Sequence, residues 1–240
     1  KPWLVYAQVS NTGTENTADC REQFGFRHYQ LTNNDDILSV DYATSCFDSY
    51  NSINVEYDSR LGHSNVLRWR IFGDYSEYTA SDVGLFSDTF EGETYRTGGE
   101  LRWNFYQDGP LFCDVGAGLR FEHQRVSDTL PGSVPGEEDF LIPYLLMKFE
   151  RITETSALYG TVTAEWQPFQ LNDISERHMA TLGRAEADDS WTRLLWDISQ
   201  SVYLEWLLDP DAWRDVTTPE SSTLAHELYF RAAGQTTFGK

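Results

Sequence analysis

The sequence predicts an all-β fold: an antiparallel, up-and-down transmembrane β-barrel, present here as an incomplete set of about eleven strands. Three observations predict it. The first is the stretch from Gly92 to Arg125, where Thr97, Gly99, Leu101, Trp103 and Phe105 alternate with Arg96, Gly98, Glu100, Arg102 and Asn104. After Asp108-Gly109-Pro110, Val115, Ala117, Leu119 and Phe121 alternate with Asp114, Gly116, Gly118, Arg120 and Glu122. Period-2 alternation broken by a Gly/Pro turn is a β-hairpin, here with one apolar face ending in aromatics and one face carrying both signs of charge. The second observation is composition: aromatics make up 15% of the chain, yet no apolar run approaches the roughly 20 residues a membrane helix needs. The third is that short and long connectors between strand patterns alternate along the chain, as in outer-membrane barrels with short periplasmic turns.

Composition narrows the function classes. The mean hydropathy of −0.50 fits a soluble protein, but a barrel gives the same average because half of each strand faces water. Eighteen basic against 38 acidic residues give a net charge of −20, which argues against a nucleic-acid partner. The acids cluster between strand patterns, as at Asp82, Asp88 and Glu91, or at Glu137, Glu138 and Asp139. They read as solvated loops, with contacts to divalent ions or lipid headgroups as the other reading. The chain starts at Lys1 without a signal-peptide pattern, as expected of a mature chain or an excised segment.

In order, Trp3, Val5, Ala7 and Val9 mark the first strand, ended by Asn11-Thr12-Gly13. Arg21, Gln23 and Arg27 interleave with Phe24 and Phe26 on the second. Asn33-Asn34-Asp35-Asp36 is a turn, because Asn and Asp side chains bond their own backbone and tolerate left-handed φ. Leu38, Val40 and Tyr42 mark the third strand, and Ile53, Val55 and Tyr57 the fourth. Leu67, Trp69, Ile71 and Tyr75 mark the fifth; the hairpin supplies the sixth and seventh. Leu141, Leu145, Met147 and Phe149 mark the eighth, with Tyr144, Lys148 and Glu150 opposite. Pro143 lacks a donor and suggests a strand start or a bulge. Leu158, Val162, Ala164 and Trp166 give the ninth, Trp191 to Leu207 the tenth, and Leu228, Phe230 and Ala232 the eleventh.

Asn33–Asp36, Gly62–Asn65, Gln107–Pro110 and Thr153–Thr155 are the expected short turns. Thr79–Glu93, Val126–Asp139 and Gln170–Asp189 are the expected long loops, with a short helix possible over Ile174–Ala187. The connector Asp209–Ser222 is long on the short side and breaks the rule. An odd strand count leaves Trp3–Val9 and Leu224–Ala233 as unpaired edges, which a bilayer does not tolerate. Residues 1–240 are therefore expected to be the N-terminal portion of a larger barrel domain.

The opening resembles a known family. Val9-Ser10-Asn11-Thr12-Gly13-Thr14, then Arg21, then Asn33 to Asp36 followed by Ile37-Leu38-Ser39-Val40-Asp41-Tyr42-Ala43-Thr44-Ser45, is similar to the start of the barrel in two-partner secretion transporters, the haemolysin secretion/activation proteins. Those have an Asn-x-Gly segment, an Arg strand, a Gly-Asp turn and a strand ending Tyr-x-Thr-Ser; this chain departs at the turn. Tyr75 to Tyr78 and Val202 to Leu204 add to the likeness. The resemblance implies a 16-stranded barrel in the bacterial outer membrane, preceded by periplasmic transport domains, and a secreted exoprotein (a haemolysin or adhesin) as partner. It implies no catalytic residue and no cofactor.

Two sets of residues follow as candidates. The lumen-facing channel set is Arg68, Arg70, Arg96, Glu100, Arg102, Arg120 and Glu122, read either as a wall that contacts a passing chain or as a ladder of ion pairs that holds the barrel. The lipid-facing set is Trp69, Leu101, Trp103, Phe105, Leu119 and Trp166, expected to meet outer-membrane lipid and lipopolysaccharide. Trp3 reads the same way. Cys20, Cys46 and Cys113 have no metal-ligand spacing. Cys20 and Cys46 sit in long-side connectors, where an oxidising compartment permits a disulfide; three free thiols is the other reading. His28, His63, His123, His178 and His226 are scattered, and no Ser-His-Asp set stands out. A monomeric barrel is expected. A barrel enzyme with catalysis at the long loops, and a soluble β-sandwich or lipocalin-like binder with the same rows turned inside out, are the alternatives.

Overall fold

The computed structural model describes residues 2–12, 18–83, 88–128, 134–167, 182, 191–208 and 226–238. Eleven strands run in chain order: β1 (Trp3–Ser10), β2 (Arg21–Tyr29), β3 (Ile37–Ser45), β4 (Tyr50–Arg60), β5 (Leu67–Val83), β6 (Asp88–Asp108), β7 (Leu111–Asp128), β8 (Gly136–Ile152), β9 (Ser156–Trp166), β10 (Thr192–Tyr203) and β11 (Glu227–Phe238). Each pairs antiparallel with the next, giving one sheet ordered β1 to β11. β1 and β11 are its two edges and do not pair with each other, so the sheet is open, as the strand count predicts.

Residue type explains the turns. Gly62 and Gly109 adopt φ of +61° and +53° in the β4–β5 and β6–β7 turns. The β2–β3 turn has no glycine; Asn33 and Asp35 take φ of 60° and 53° there, a conformation short polar side chains tolerate. Asp36 closes that turn. Its carboxylate accepts the Thr32 N–H, the Thr32 hydroxyl at 3.0 Å and the Asn34 N–H at 3.2 Å.

Three expectations need correction. Most of Thr79–Glu93 and half of Val126–Asp139 is strand: β5 reaches Val83, β6 starts at Asp88, β7 reaches Asp128 and β8 starts at Gly136. Polar residues hid these extensions, because strands above a bilayer need no apolar row. β6 has 21 residues, against the roughly 9–11 that cross a bilayer. Pro143 neither starts β8 nor bulges it. It pairs in register with Leu119, and the ladder to β9 begins one residue later at Tyr144, so its missing N–H falls at the end of that ladder. The tenth strand stops at Tyr203. Leu204 bonds the His226 carbonyl, and the one-turn helix α1 (Glu205–Leu208) follows. The Ile174–Ala187 helix, most of the Gln170–Asp189 loop and the Asp209–Ser222 connector lie outside the described residues.

The two faces differ as a membrane barrel requires. On one, large apolar side chains are exposed, among them Val5 at 61%, Leu101 at 55%, Trp103 at 51% and Leu145 at 52%. Among the described residues the buried apolar side chains are Phe140, Ile142, Tyr144 and Leu146, all on the other face of β8. A soluble sandwich of this size would bury a two-sided apolar core and expose few such side chains. The fold is that of part of an outer-membrane β-barrel.

Candidate functional site: the concave face

The site follows from the hairpin β6–β7. Glu100 lies opposite Gly118 and Arg102 opposite Gly116, while Arg120 lies opposite Gly98. Glu100 and Tyr144 meet across Gly118, which offers no side chain between them, while the two arginines reach across the neighbouring strand on their other side. Arg102 reaches β4, where a guanidinium nitrogen meets Asp58, while its Nε lies 3.1 Å from Glu100 on its own strand. Arg120 crosses β8 and donates from Nη1 to Oε1 of Glu165 on β9 at 2.9 Å. Arg193 of β10 donates to the other oxygen of Glu165 at 2.6 Å. The Tyr144 hydroxyl on β8 donates to Glu100 on β6 at 2.9 Å. Contacts that skip a strand form only where the sheet curves towards the side chains, so this is the concave face.

The other predicted contacts lie within a strand or on the neighbouring one, except that Arg68 also reaches past β4 to the β2–β3 turn. Arg68 donates to Asp58 at 2.7 Å and to Asp35 at 2.8 Å. Arg70 lies 3.6 Å from Glu56, and Arg120 lies 3.2 Å from Glu122 two residues along its strand. Arg96 meets Asp74 directly opposite at 2.8 Å. All seven residues thus share one face. Sequence reasoning did not single out Asp58, Glu165, Arg193 or Tyr144; for Arg102–Asp58, Arg120–Glu165 and Tyr144–Glu100 the reason is that nearest-neighbour alternation carries no signal for a partner two strands away.

Within this face, residues from Asn54 on β4 to Glu165 on β9 enclose a cavity of about 410 Å³. Its charged lining balances: Glu56, Asp74, Glu100 and Glu165 against Arg70, Arg96, Arg120 and Lys148. Such a wall selects neither sign of charge. It suits a mixed-charge polymer better than a simple anion or cation.

The six apolar candidates lie on the opposite face. Trp69 packs edge-on against Tyr57 with ring centroids 5.4 Å apart. Leu119 is 47% exposed, and Trp166 on β9 is half-buried. The register of β6 against β7 shifts between Asn104 and Tyr106, leaving Phe105 without a partner. As a result two successive aromatics, Phe105 at 41% and Tyr106 at 47%, are both exposed, which strict alternation did not predict.

At the long-side rim, Cys20 and Cys46 form a disulfide with Cα atoms 5.6 Å apart, and Cys113 is free. Glu22 lies beside the pair and accepts the Cys46 N–H at 3.0 Å. Both sulfurs are committed, so the group offers no thiolate to a metal. At the opposite end, burial would push the Asp36 carboxyl up, but its hydrogen bonds from Thr32 and Asn34 outweigh this and hold it below its ordinary value of 3.8. His123 pairs with Asp139 at 2.7 Å and stacks on Tyr95, with ring centroids 4.8 Å apart. This pair lies on the convex side, away from the cavity, and the described residues place no serine nucleophile beside it.

No protein-family model matches the sequence, and no curated protein is significantly similar to it. Solved structures share its fold. CdiB from Escherichia coli superposes with a TM-score of 0.65 at 11% identity, over 84% of this chain and 38% of that one. CdiB from Acinetobacter baumannii gives a TM-score of 0.50 at 11% identity, over 82% of this chain and 44% of that one. The translocator domain of autotransporter NalP from Neisseria meningitidis gives 0.47 at 14% identity, over 76% of this chain and 67% of that one. The chain thus spans less than half the length of either CdiB structure, and what it shares with them is the architecture of an outer-membrane barrel.

Proposed function

We propose that this chain is the N-terminal part of the barrel of a bacterial outer-membrane pore that secretes a partner exoprotein by two-partner secretion. The observation that carries the reading is the concave face: a charge-balanced wall running from β4 to β9, backed by an exposed apolar face, in an open up-and-down sheet. The fold shared with CdiB and the family-like residues from Val9 to Ser45 support it. In the complete protein, further strands of the same polypeptide close the gap between β11 and β1, giving a monomeric barrel. The apolar face meets lipid and lipopolysaccharide, and nucleic acid plays no part.

Reconstitution of the complete protein in planar bilayers tests this, together with deletion of its gene in the producing cell. Discrete conductance steps and loss of a secreted protein on deletion are the expected results. A non-conducting protein whose deletion leaves the secretome unchanged sinks the reading.

A further inference from the structure

Four neighbouring strands continue past the tyrosines that mark the long-side membrane surface. Tyr75 of β5 lies opposite Tyr95 of β6, both on the outward row, and tyrosine in such a place sits at headgroup level. Beyond them β5 runs on to Val83, β6 comes in from Asp88, β7 runs on to Asp128 and β8 comes in from Gly136. Pairing is in unbroken register from Glu91 through Tyr95 to Leu101, so Glu91 and Glu93 lie on the side that carries the apolar row. The next outward row beyond the tyrosines reads Glu77, Glu93, Arg125 and Glu137 across β5 to β8. Two residues along a strand span about 7 Å, which is the distance of this row from the tyrosine pair.

The row is not paired as its register allows. Glu77 and Glu93 are like charges directly opposite, an arrangement that costs stability unless something neutralises it. Glu77 accepts from the Tyr75 hydroxyl at 2.8 Å and from the Asn51 amide at 3.1 Å. Arg125 has Glu93 on one side and Glu137 on the other, yet it makes no ion pair among the described residues. Glu91 and Glu93 make none either. Instead Arg125, Glu91, Glu93, Glu77 and Asp48 line one hollow of about 360 Å³, bounded on the far side by the β3–β4 loop. A bare anion is repelled there by the four carboxylates, and a bare cation by the guanidinium. A phosphate that brings a divalent cation satisfies both: the guanidinium donates to the phosphate, and the carboxylates meet the cation.

We propose that this hollow binds the phosphorylated headgroup of an outer-leaflet lipopolysaccharide together with its bridging divalent cation. Arg125 takes the phosphate, and Glu91 and Glu93 take the cation. This rests on the outer-membrane reading given above, which puts the long-side end of β5 to β8 in the outer leaflet, and it names the lipid contact. The hollow opens on the same side as Leu101 and Trp103, so a headgroup seated in it lays its acyl chains along that apolar row.

Native mass spectrometry tests the proposal, using the complete protein in detergent titrated with deep-rough lipopolysaccharide in the presence of magnesium. Wild type should retain a lipopolysaccharide, and EDTA should weaken its binding about tenfold, as expected for losing charge-assisted contacts. Arg125→Gln, and Glu91→Gln combined with Glu93→Gln, should each weaken binding about as much in magnesium, and the glutamate variant should no longer respond to EDTA. Glu137→Gln, on the same row but not lining the hollow, should bind like wild type. Heat-modifiable gel migration shows that each variant is folded. Binding unchanged in both hollow variants overturns the proposal, and so does an equal loss in Glu137→Gln. Inorganic phosphate with magnesium should not compete; displacement of the lipopolysaccharide by it would show a site for free phosphate and overturn the lipid assignment. Conductance of the wild-type protein keeps the two readings apart. A conducting protein whose hollow variants bind normally overturns the hollow alone, whereas a wild type that neither conducts nor binds lipopolysaccharide overturns both.

Discussion

Arg120 of β7 spans β8 to reach Glu165 of β9, which Arg193 of β10 approaches from the other side, so one carboxylate ties three strands across a span of four. Glu165 is 4% exposed, and removing its charge takes the shared partner from two guanidinium groups that are themselves only partly hydrated. Glu165→Gln should therefore destabilise the protein by about 3 kcal/mol. Urea unfolding in detergent micelles, followed by heat-modifiable gel migration, measures this. The triple replacement Glu165→Leu, Arg120→Met, Arg193→Met should recover most of the loss, because the two guanidinium groups that lost their shared carboxylate are then gone.

Glycines under aromatic rings give a second prediction. A Cβ on Gly118 would collide with the ring of Tyr144, which sits directly opposite on β8. The ring must then move, and the Tyr144–Glu100 bond goes with it. Gly118→Ala should cost roughly 1–3 kcal/mol by overpacking. A Cβ on Gly73 would meet only the Arg96 carbonyl at 3.7 Å, an ordinary contact. Gly73→Ala should be tolerated, and the same unfolding assay separates the two.

Acid should weaken the β2–β3 turn. Asp36 titrates below its ordinary value of 3.8 in the folded protein. Its contribution is therefore fully present above that value and is lost as pH falls through the lowered one. Asp36→Asn should protect the turn amides less than wild type at pH 6, with the difference shrinking as pH falls below the ordinary value of 3.8. Hydrogen exchange of residues 30–36 across that range reads it; a difference independent of pH would falsify the assignment.

The disulfide predicts its own chemistry. Alkylation without reductant should label Cys113 and leave Cys20 and Cys46 unlabelled, as read by mass spectrometry. Joining residues 26 apart constrains the unfolded chain, and Cys20→Ser with Cys46→Ser should cost about 3 kcal/mol.

Strand order, antiparallel pairing, the short turns and the two faces were legible in the sequence, because a period of two is dictated by the pleat itself. The paired rows from Arg96 to Phe105 placed both candidate sets on opposite faces. What the sequence hid has physical causes. Polar strand extensions such as Glu91 to Glu93 read as loops, since no solvent contrast marks them. The bulge at Phe105 shifts the register without any proline or glycine to announce it. The partners Arg120 and Glu165 are 45 residues apart and two strands removed, and they meet only because the sheet curves. On β8 the sequence marked Tyr144, Lys148 and Glu150 opposite the outward row, and the burial of Phe140, Ile142 and Leu146 beside them carried no signal of its own.

The proposed function puts one face of β6 against lipid and the other against water. Single cysteines at positions 100 to 104, in a Cys113→Ser background reconstituted in liposomes, test it with a membrane-impermeant maleimide. Glu100→Cys, Arg102→Cys and Asn104→Cys should label, while Leu101→Cys and Trp103→Cys should stay unlabelled. Uniform labelling across the five positions, or labelling of 101 and 103 alone, would contradict the account.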